Sequence, residues 1–269
     1  MDVKKVLYIS QEIEPYLPAT PLSTFGRQLP QAMQEKGAEV RTFMPKFGNI
    51  NERRNQLHEV IRLSGINIVI DDTDHPLLIK VATLQPTRLQ VYFIDSDDFF
   101  MRHASGELET VHDSDANDER AMFFVRGTAE TVKKLRWEPS VVHCTGWISA
   151  LAPLYLKNVF ADDPVFRNTK IVFSLFSDSF EGHLNGRLIE KLRADGFDDS
   201  ALTSLTDGET PIDFIKLNKM AIDHADALVV SSHDVPQELL DYAIASGKPM
   251  LEYPGGIDAD AYYNFYQSL

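Results

Sequence analysis

The chain has 269 residues, with 40 Asp and Glu against 26 Lys and Arg, for a net charge of −14. That charge excludes a sequence-independent nucleic-acid binder, which needs cations over phosphates, and a binder of anionic membrane surfaces. Cys144 is the sole cysteine, so no intrachain disulfide is expected and a reducing, cytoplasmic setting follows.

The apolar run 6–9 is too short for a signal-peptide core, and no window approaches the length of a membrane span. The first strand reads from Val3 to Ser10. A loop with Pro15, Pro18 and Pro21 follows. Leu22 to Lys36 has helical spacing, with Pro30 marking a kink or a second helical piece, and Gly37 ends it. Glu39 to Met44 is the next strand. Between residues 57 and 95 come four short apolar runs, 57–63, 66–70, 77–84 and 89–94, with turn residues between them. They predict a β-rich, hairpin-forming insert or an extension at one sheet edge.

Asp97 to His103 reads as a short helix and Ser105 to Asp113 as a loop. Asp115 to Trp137 is a long helix with acids at its start and Lys133, Lys134 and Arg136 at its end. His112, Asp113, Asp115 and Asp118 are read as caps of that helix. Val141 to Cys144 is a buried strand that runs through Thr145-Gly146 into a helix from Trp147 to Lys157. Lys170 to Leu175 is a strand, Arg187 to Ala194 a helical piece, and Pro211 to His224 a helix with Pro211 in its first turn. Ala227 to Ser231 is a strand, Val235 to Ala245 a helix, and Met250 to Tyr253 a short last strand. Pro254-Gly255-Gly256 is a hinge-like turn before a C-terminal helix over 258–269. The alternation predicts an α/β fold: one Rossmann-like, doubly wound, mostly parallel sheet forming a single domain over 1–269.

In such sheets ligands sit beyond the carboxyl ends of the strands. This makes His143, Thr145 and Trp147 at one strand end, and Ser177, Asp178 and Glu181 beside the next, the candidate substrate-binding residues. No Gly-x-Gly-x-x-Gly or phosphate-loop signature follows the first strand. Prolines there lack the N–H groups of a phosphate cradle. His143 and Cys144 are adjacent on a strand and point to opposite faces, so they do not form a thiol–imidazole pair. Asp71, Asp72, Asp74 and His75 lack the ligand ladder of a calcium hand and read as a solvated turn. No metal ligand set and no cofactor are expected. Phe166, Phe173, Phe176 and Phe180 form either core or a sugar-stacking platform. Trp147 carries the same two readings.

Several stretches together resemble the bacterial starch/glycogen synthases, GT-B enzymes that transfer glucose from ADP-glucose to an α-1,4-glucan. They are Lys5 through Glu12 with Pro15, Leu29-Pro30, and Gly37 through Pro45. Further on come Arg120 through Trp137, Val141-Val142-His143 with Trp147, and Ile171 through Ser174. Gly256-Ile257-Asp258 completes the set. The resemblance runs from about residue 3 to residue 260. It is nearest to short single-domain, Bacteroides-like homologues that correspond to the N-terminal catalytic domain.

The family has two Rossmann lobes across a cleft, the first holding mainly acceptor glucan and the second mainly the nucleotide sugar. The resemblance therefore implies α-glucan as a partner and ADP-glucose as a weak or lost one. It also implies a protein partner if a second lobe is to be supplied, since that lobe needs about 150 further residues.

Three family positions depart from the pattern. The lysine of Lys-Thr-Gly-Gly-Leu is Pro18, the aspartate of His-x-His-Asp-Trp is Gly146, and the active-site histidine is Phe176. A phenyl ring moves no proton and glycine offers no charge. The expectation is a synthase-like domain with no catalytic residues of its own, not competent as an isolated chain. The alternative is a non-catalytic glucan-binding, regulatory or assembly protein.

Overall fold

The computed structural model describes residues 5–101, 116–208 and 210–269. The loop read over 105–113, and His112, Asp113 and Asp115, lie outside them.

The centre is a parallel sheet. Strand β1 (Lys5–Ser10) pairs with β2 (Glu39–Pro45) on one side and β7 (Val141–Thr145) on the other. Beyond β7 lie β8 (Lys170–Leu175), β9 (Ala227–Val230) and β10 (Met250–Leu251), all parallel. Beyond β2 lies β6 (Leu89–Asp95), also parallel. From there the sheet turns antiparallel through β5 (Thr73–Leu84), which pairs with β3 (His58–Glu59) and β4 (Ile66–Ile70). The stretch 57–95 thus extends one sheet edge. Its last strand, β6, is also a parallel neighbour of the core. At the β4–β5 turn Asp71 and Asp72 both have positive φ, 49° and 61°. Two successive left-handed residues are the geometry of a two-residue hairpin turn. Arg187 clamps Asp71 with two 2.7 Å hydrogen bonds.

Every residue of β7 is buried, and β8 is buried from its second residue on. That is why both read as continuous apolar runs. Side chains alternate between faces. Tyr8, His143 and Ser174 point toward α1 (Pro21–Glu35) and α8 (Ala259–Ser268). Leu7, Cys144 and Phe173 point the other way, toward the layer of α2 (Asn117–Lys134), α3 (Leu151–Lys157) and α6 (Phe214–His224). The chain steps from β1 toward β2 and later returns to β7 on the opposite side. The switch in winding direction therefore falls between β1 and β7, where such sheets open a crevice at the strand carboxyl ends.

Helix α1 starts on a capping box: Thr20 accepts from the Ser23 N–H, and Ser23 accepts from the Thr20 N–H. It runs as one helix through the buried Pro30. Gly26 lets it sit against the first loop, because a Cβ there would lie 2.3 Å from the Glu12 carbonyl oxygen.

Several elements differ from the sequence reading. The run 97–101 is one turn of π-helix. Residues 147–149 form a 3-10 turn before α3. A short α5 (Thr203–Thr206) lies in a stretch where the sequence reading placed no element. Helix α6 starts at Phe214 because Asp213 caps it, accepting from the Lys216 N–H at 2.8 Å, so Pro211 stays outside. The remaining helices are α4 (Leu188–Ala194) and α7 (Gln237–Ala245).

Candidate functional site: the carboxyl ends of β1, β7 and β8

Three neighbouring strands end side by side here. β1 delivers Gln11 and Glu12, β7 delivers Gly146 and Trp147, and β8 delivers Phe176, Ser177 and Asp178. The Gln11 N–H continues the ladder onto the Thr145 carbonyl at 3.0 Å. Gly146 then turns with φ 86° and ψ 155°, a conformation open to glycine. Its free side is filled: a Cβ would lie 2.5 Å from the Gln11 Cβ.

The first N–H groups after this turn are the donors an anion would use at a helix start. Both are already taken. Trp147 N–H donates to Asp178 Oδ2 at 3.2 Å, and Ile148 N–H donates to Gln11 Oε1 at 3.2 Å. Gln11 Nε2 also reaches Glu12 Oε1 at 3.4 Å, and the Thr20 hydroxyl donates to Glu12 Oε2 at 2.7 Å. Burial pushes the Asp178 carboxyl up to about 7, and the negative charge of Glu12 adds to this. The Trp147 N–H and Gln11 pull it back.

The six residues singled out in the sequence separate into two groups. His143, Thr145 and Trp147 are fully buried. Ser177 and Glu181 are exposed, and half-buried Asp178 joins the two groups through the Trp147 backbone. The Trp147 ring is covered by Phe180, centroids 5.0 Å apart, and its Nε1 has no partner among the described residues. Thr145 Oγ1 and its register neighbour Ser10 Oγ are likewise buried and unpartnered.

His143 sits inside a hydrogen-bonded chain. Nδ1 lies 2.5 Å from the Tyr266 hydroxyl and Nε2 2.6 Å from the Ser174 hydroxyl. Tyr266 continues to Tyr8 at 3.3 Å, and Ser231 donates to Ser174 at 3.0 Å. Desolvation holds the imidazole at a pKa of about 3, so it is neutral at physiological pH.

Of the positions at which the resemblance implied a departure from the family's pattern, Pro18 is exposed. Phe176 is 4% exposed and packs edge-on against Phe25, centroids 5.1 Å apart at 82°. The four phenylalanines read as one cluster do not form one. Phe176 is on the α1 face, Phe173 on the opposite face, Phe180 is over Trp147, and Phe166 pairs with Phe160. No group of three or more His, Cys, Asp or Glu that could hold a metal occurs among the described residues. Beside Phe25, a cavity of about 330 Å³ opens between α1 and the segment leading into α8.

Gln11, Thr20, Phe25 and Tyr262 were not singled out as site residues in the sequence. The available signals were positional. Gln11 and Glu12 follow the first strand directly, and Tyr262 and Tyr266 share one face of the last helix at a spacing of four. Chemically, this is a crevice whose backbone donors are saturated by the protein's own side chains and whose deepest wall is aromatic.

A family model described as the starch synthase catalytic domain matches residues 5–251. The glycogen synthase of Chlorobium chlorochromatii is 38% identical over 192 residues, covering 71% of this chain and 39% of that protein. That of Pelodictyon phaeoclathratiforme is 34% identical over 239 residues, covering 88% and 47%. The chain therefore spans half or less of the length of these relatives. In fold, it superposes on the catalytic domain of starch synthase IV from Arabidopsis thaliana, bound to ADP and acarbose, with a TM-score of 0.72 at 18% identity. That match covers 97% of this chain and 53% of the other. The architecture is that of one Rossmann-like lobe of a GT-B glycosyltransferase, and the chain belongs to the starch synthase catalytic domain family.

Proposed function

We propose that this single domain binds α-glucan and does not by itself transfer glucose from ADP-glucose. The observation that carries the reading is Phe176 sealed against Phe25, at the position where the resemblance places an active-site histidine. Glycosyl transfer builds charge on a departing phosphate and on the anomeric carbon. Its barrier falls when fixed charges and donors are aimed at those atoms. Here one such position is a phenyl ring. A second is a glycine whose side-chain space Gln11 fills, and a third is an exposed proline where a cation would meet the diphosphate. The N–H donors of the turn are also occupied from within.

The test is incorporation of labelled glucose from ADP-glucose into glycogen by the purified chain, with co-sedimentation on glycogen measured in parallel. Blank-level incorporation with retention on glycogen is expected. Turnover well above the blank overturns the reading. Turnover that appears on adding a second protein would instead favour a partner that supplies the nucleotide-sugar lobe. We place the protein in the cytoplasm, in keeping with its single buried cysteine. Among the described residues no helix is long and apolar enough to cross a membrane.

A further inference from the structure

The cavity beside Phe25 has an unusual lining for a family whose donor carries a diphosphate. Its rings are Phe25 from α1, Tyr253 from the hinge-like segment and Tyr262 from α8. Its polar groups are the Thr20 and Thr24 hydroxyls, the Gln28 amide and the Ser231 hydroxyl. No Lys, Arg, His, Asp or Glu is among the described lining residues.

Behind the two threonines stand carboxylates: the Thr20 hydroxyl donates to Glu12 at 2.7 Å and the Thr24 hydroxyl to Glu14 at 3.4 Å. Behind Tyr262 the layer is uncharged. Tyr262 and Ser231 line the cavity together, Ser231 donates to Ser174, Ser174 meets His143, and His143 meets Tyr266. This chain ties Tyr266, and with it α8, to the sheet, and Tyr262 one turn earlier on the same helix faces the cavity. Burial keeps the imidazole within it neutral and lifts Tyr262 to about 12.

We propose that this cavity takes one uncharged, hydroxyl-bearing sugar ring and excludes sugar phosphates and nucleotides. The inference rests on the glucan reading above and assigns it a location. A pyranose offers an apolar C–H face to Phe25, Tyr253 or Tyr262, and its hydroxyls donate to the oxygens of Thr20, Thr24 and Ser231 and meet both a donor and an acceptor in the Gln28 amide. A phosphate would lose its hydration with no cation to replace it, which is strongly unfavourable. The volume, about 330 Å³, lies at the lower end of small-molecule pockets. It suits the end of an oligosaccharide and not a nucleotide sugar.

The experiment uses the full chain with labelled Ile and Ala methyl groups, titrated separately with maltotriose, glucose 1-phosphate and ADP. Ala19 and Ile257 line the cavity and report from inside it. Maltotriose should shift both methyls, while glucose 1-phosphate and ADP leave them in place. Tyr253→Ala, at a half-buried position outside the hydrogen-bonded chain, should weaken maltotriose at least tenfold. Gln28→Lys, at an exposed position, should leave the melting temperature unchanged and bring in glucose 1-phosphate.

Equal shifts from either phosphate compound in the natural chain would overturn the proposal. So would maltotriose binding unaffected by Tyr253→Ala, or no gain from Gln28→Lys. Retention on glycogen with silent cavity methyls sinks this location and leaves the glucan reading standing. Cavity shifts without retention on glycogen sink the polymer reading and leave the cavity as a site for short neutral sugars.

Discussion

Asp178, at the end of β8, accepts the backbone N–H of Trp147, at the end of β7, across 3.2 Å. Its partial burial, with the charge of Glu12 beside it, raises the folded-state pKa from 3.8 to about 7. A raised carboxyl pKa means that the folded state holds its proton more tightly than the unfolded chain. Its stabilising contribution is full below about pH 4 and is lost as pH rises through about 7. Asp178→Asn keeps an oxygen acceptor for Trp147 and removes the charge. The variant should melt higher than the natural chain near pH 8, and the gap should narrow as pH falls and close by about pH 3.5. Paired thermal melts across that range check it. A constant gap would contradict the assignment.

His143 titrates with the opposite sign. Its folded pKa is depressed from 6.5 to about 3, so its contribution is present above the unfolded value and is lost as pH falls through the folded one. His143→Gln should flatten the loss of stability between about pH 6.5 and 3. His143→Ala should cost more at neutral pH, about 2–5 kcal/mol, because Tyr266 and Ser174 lose a buried partner and a cavity is left. Urea titrations at two pH values separate these effects.

Gly146→Asp restores the residue type that the family resemblance expects, but it should restore no activity. The backbone at φ 86° resists any side chain, and Gln11 stands in the way. A cost of about 1–3 kcal/mol is expected from the backbone conformation alone. Adding Gln11→Gly should recover the steric part and not the conformational part. Chemical denaturation of the single and double variants measures both.

Trp147 behaves as core and not as a sugar platform. Trp147→Ala should destabilise by about 3–5 kcal/mol. Trp147→Phe, which also removes an unpartnered indole N–H, should be far milder and leave glucan binding intact. Binding isotherms of Trp147→Phe, with the melt of Trp147→Ala alongside, decide it. Loss of glucan binding in a well-folded Trp147→Phe would return the ring to the site.

The strands were the most legible part of the chain. β4 and β8 fall on the residues read from sequence, because their apolar runs are bounded by turn residues. Helix starts were less so. Asp213, not Pro211, begins α6, since a side-chain acceptor for a free N–H outweighs a favourable φ. The short helix read from Asp97 to His103 is present as a π turn over 97–101, whereas the short α5 carries no periodic signal long enough to read. At the site, the strand ends were legible from the β–turn–α pattern. Which side chains point into the crevice was not. His143 and Thr145 lie on a strand whose two faces are both covered, and sequence alternation separates those faces without saying that each is closed. Gln11, Tyr253 and Tyr262 arrive from distant parts of the chain through crossovers that periodicity does not encode.

The way Gln11 fills the hollow beside Gly146 also limits what this position can become. A side chain at this position would meet the Gln11 Cβ at 2.5 Å, and the backbone holds a conformation that favours glycine. A single substitution there meets both obstacles at once, so position 146 is free to vary only together with position 11 and with the path of the turn.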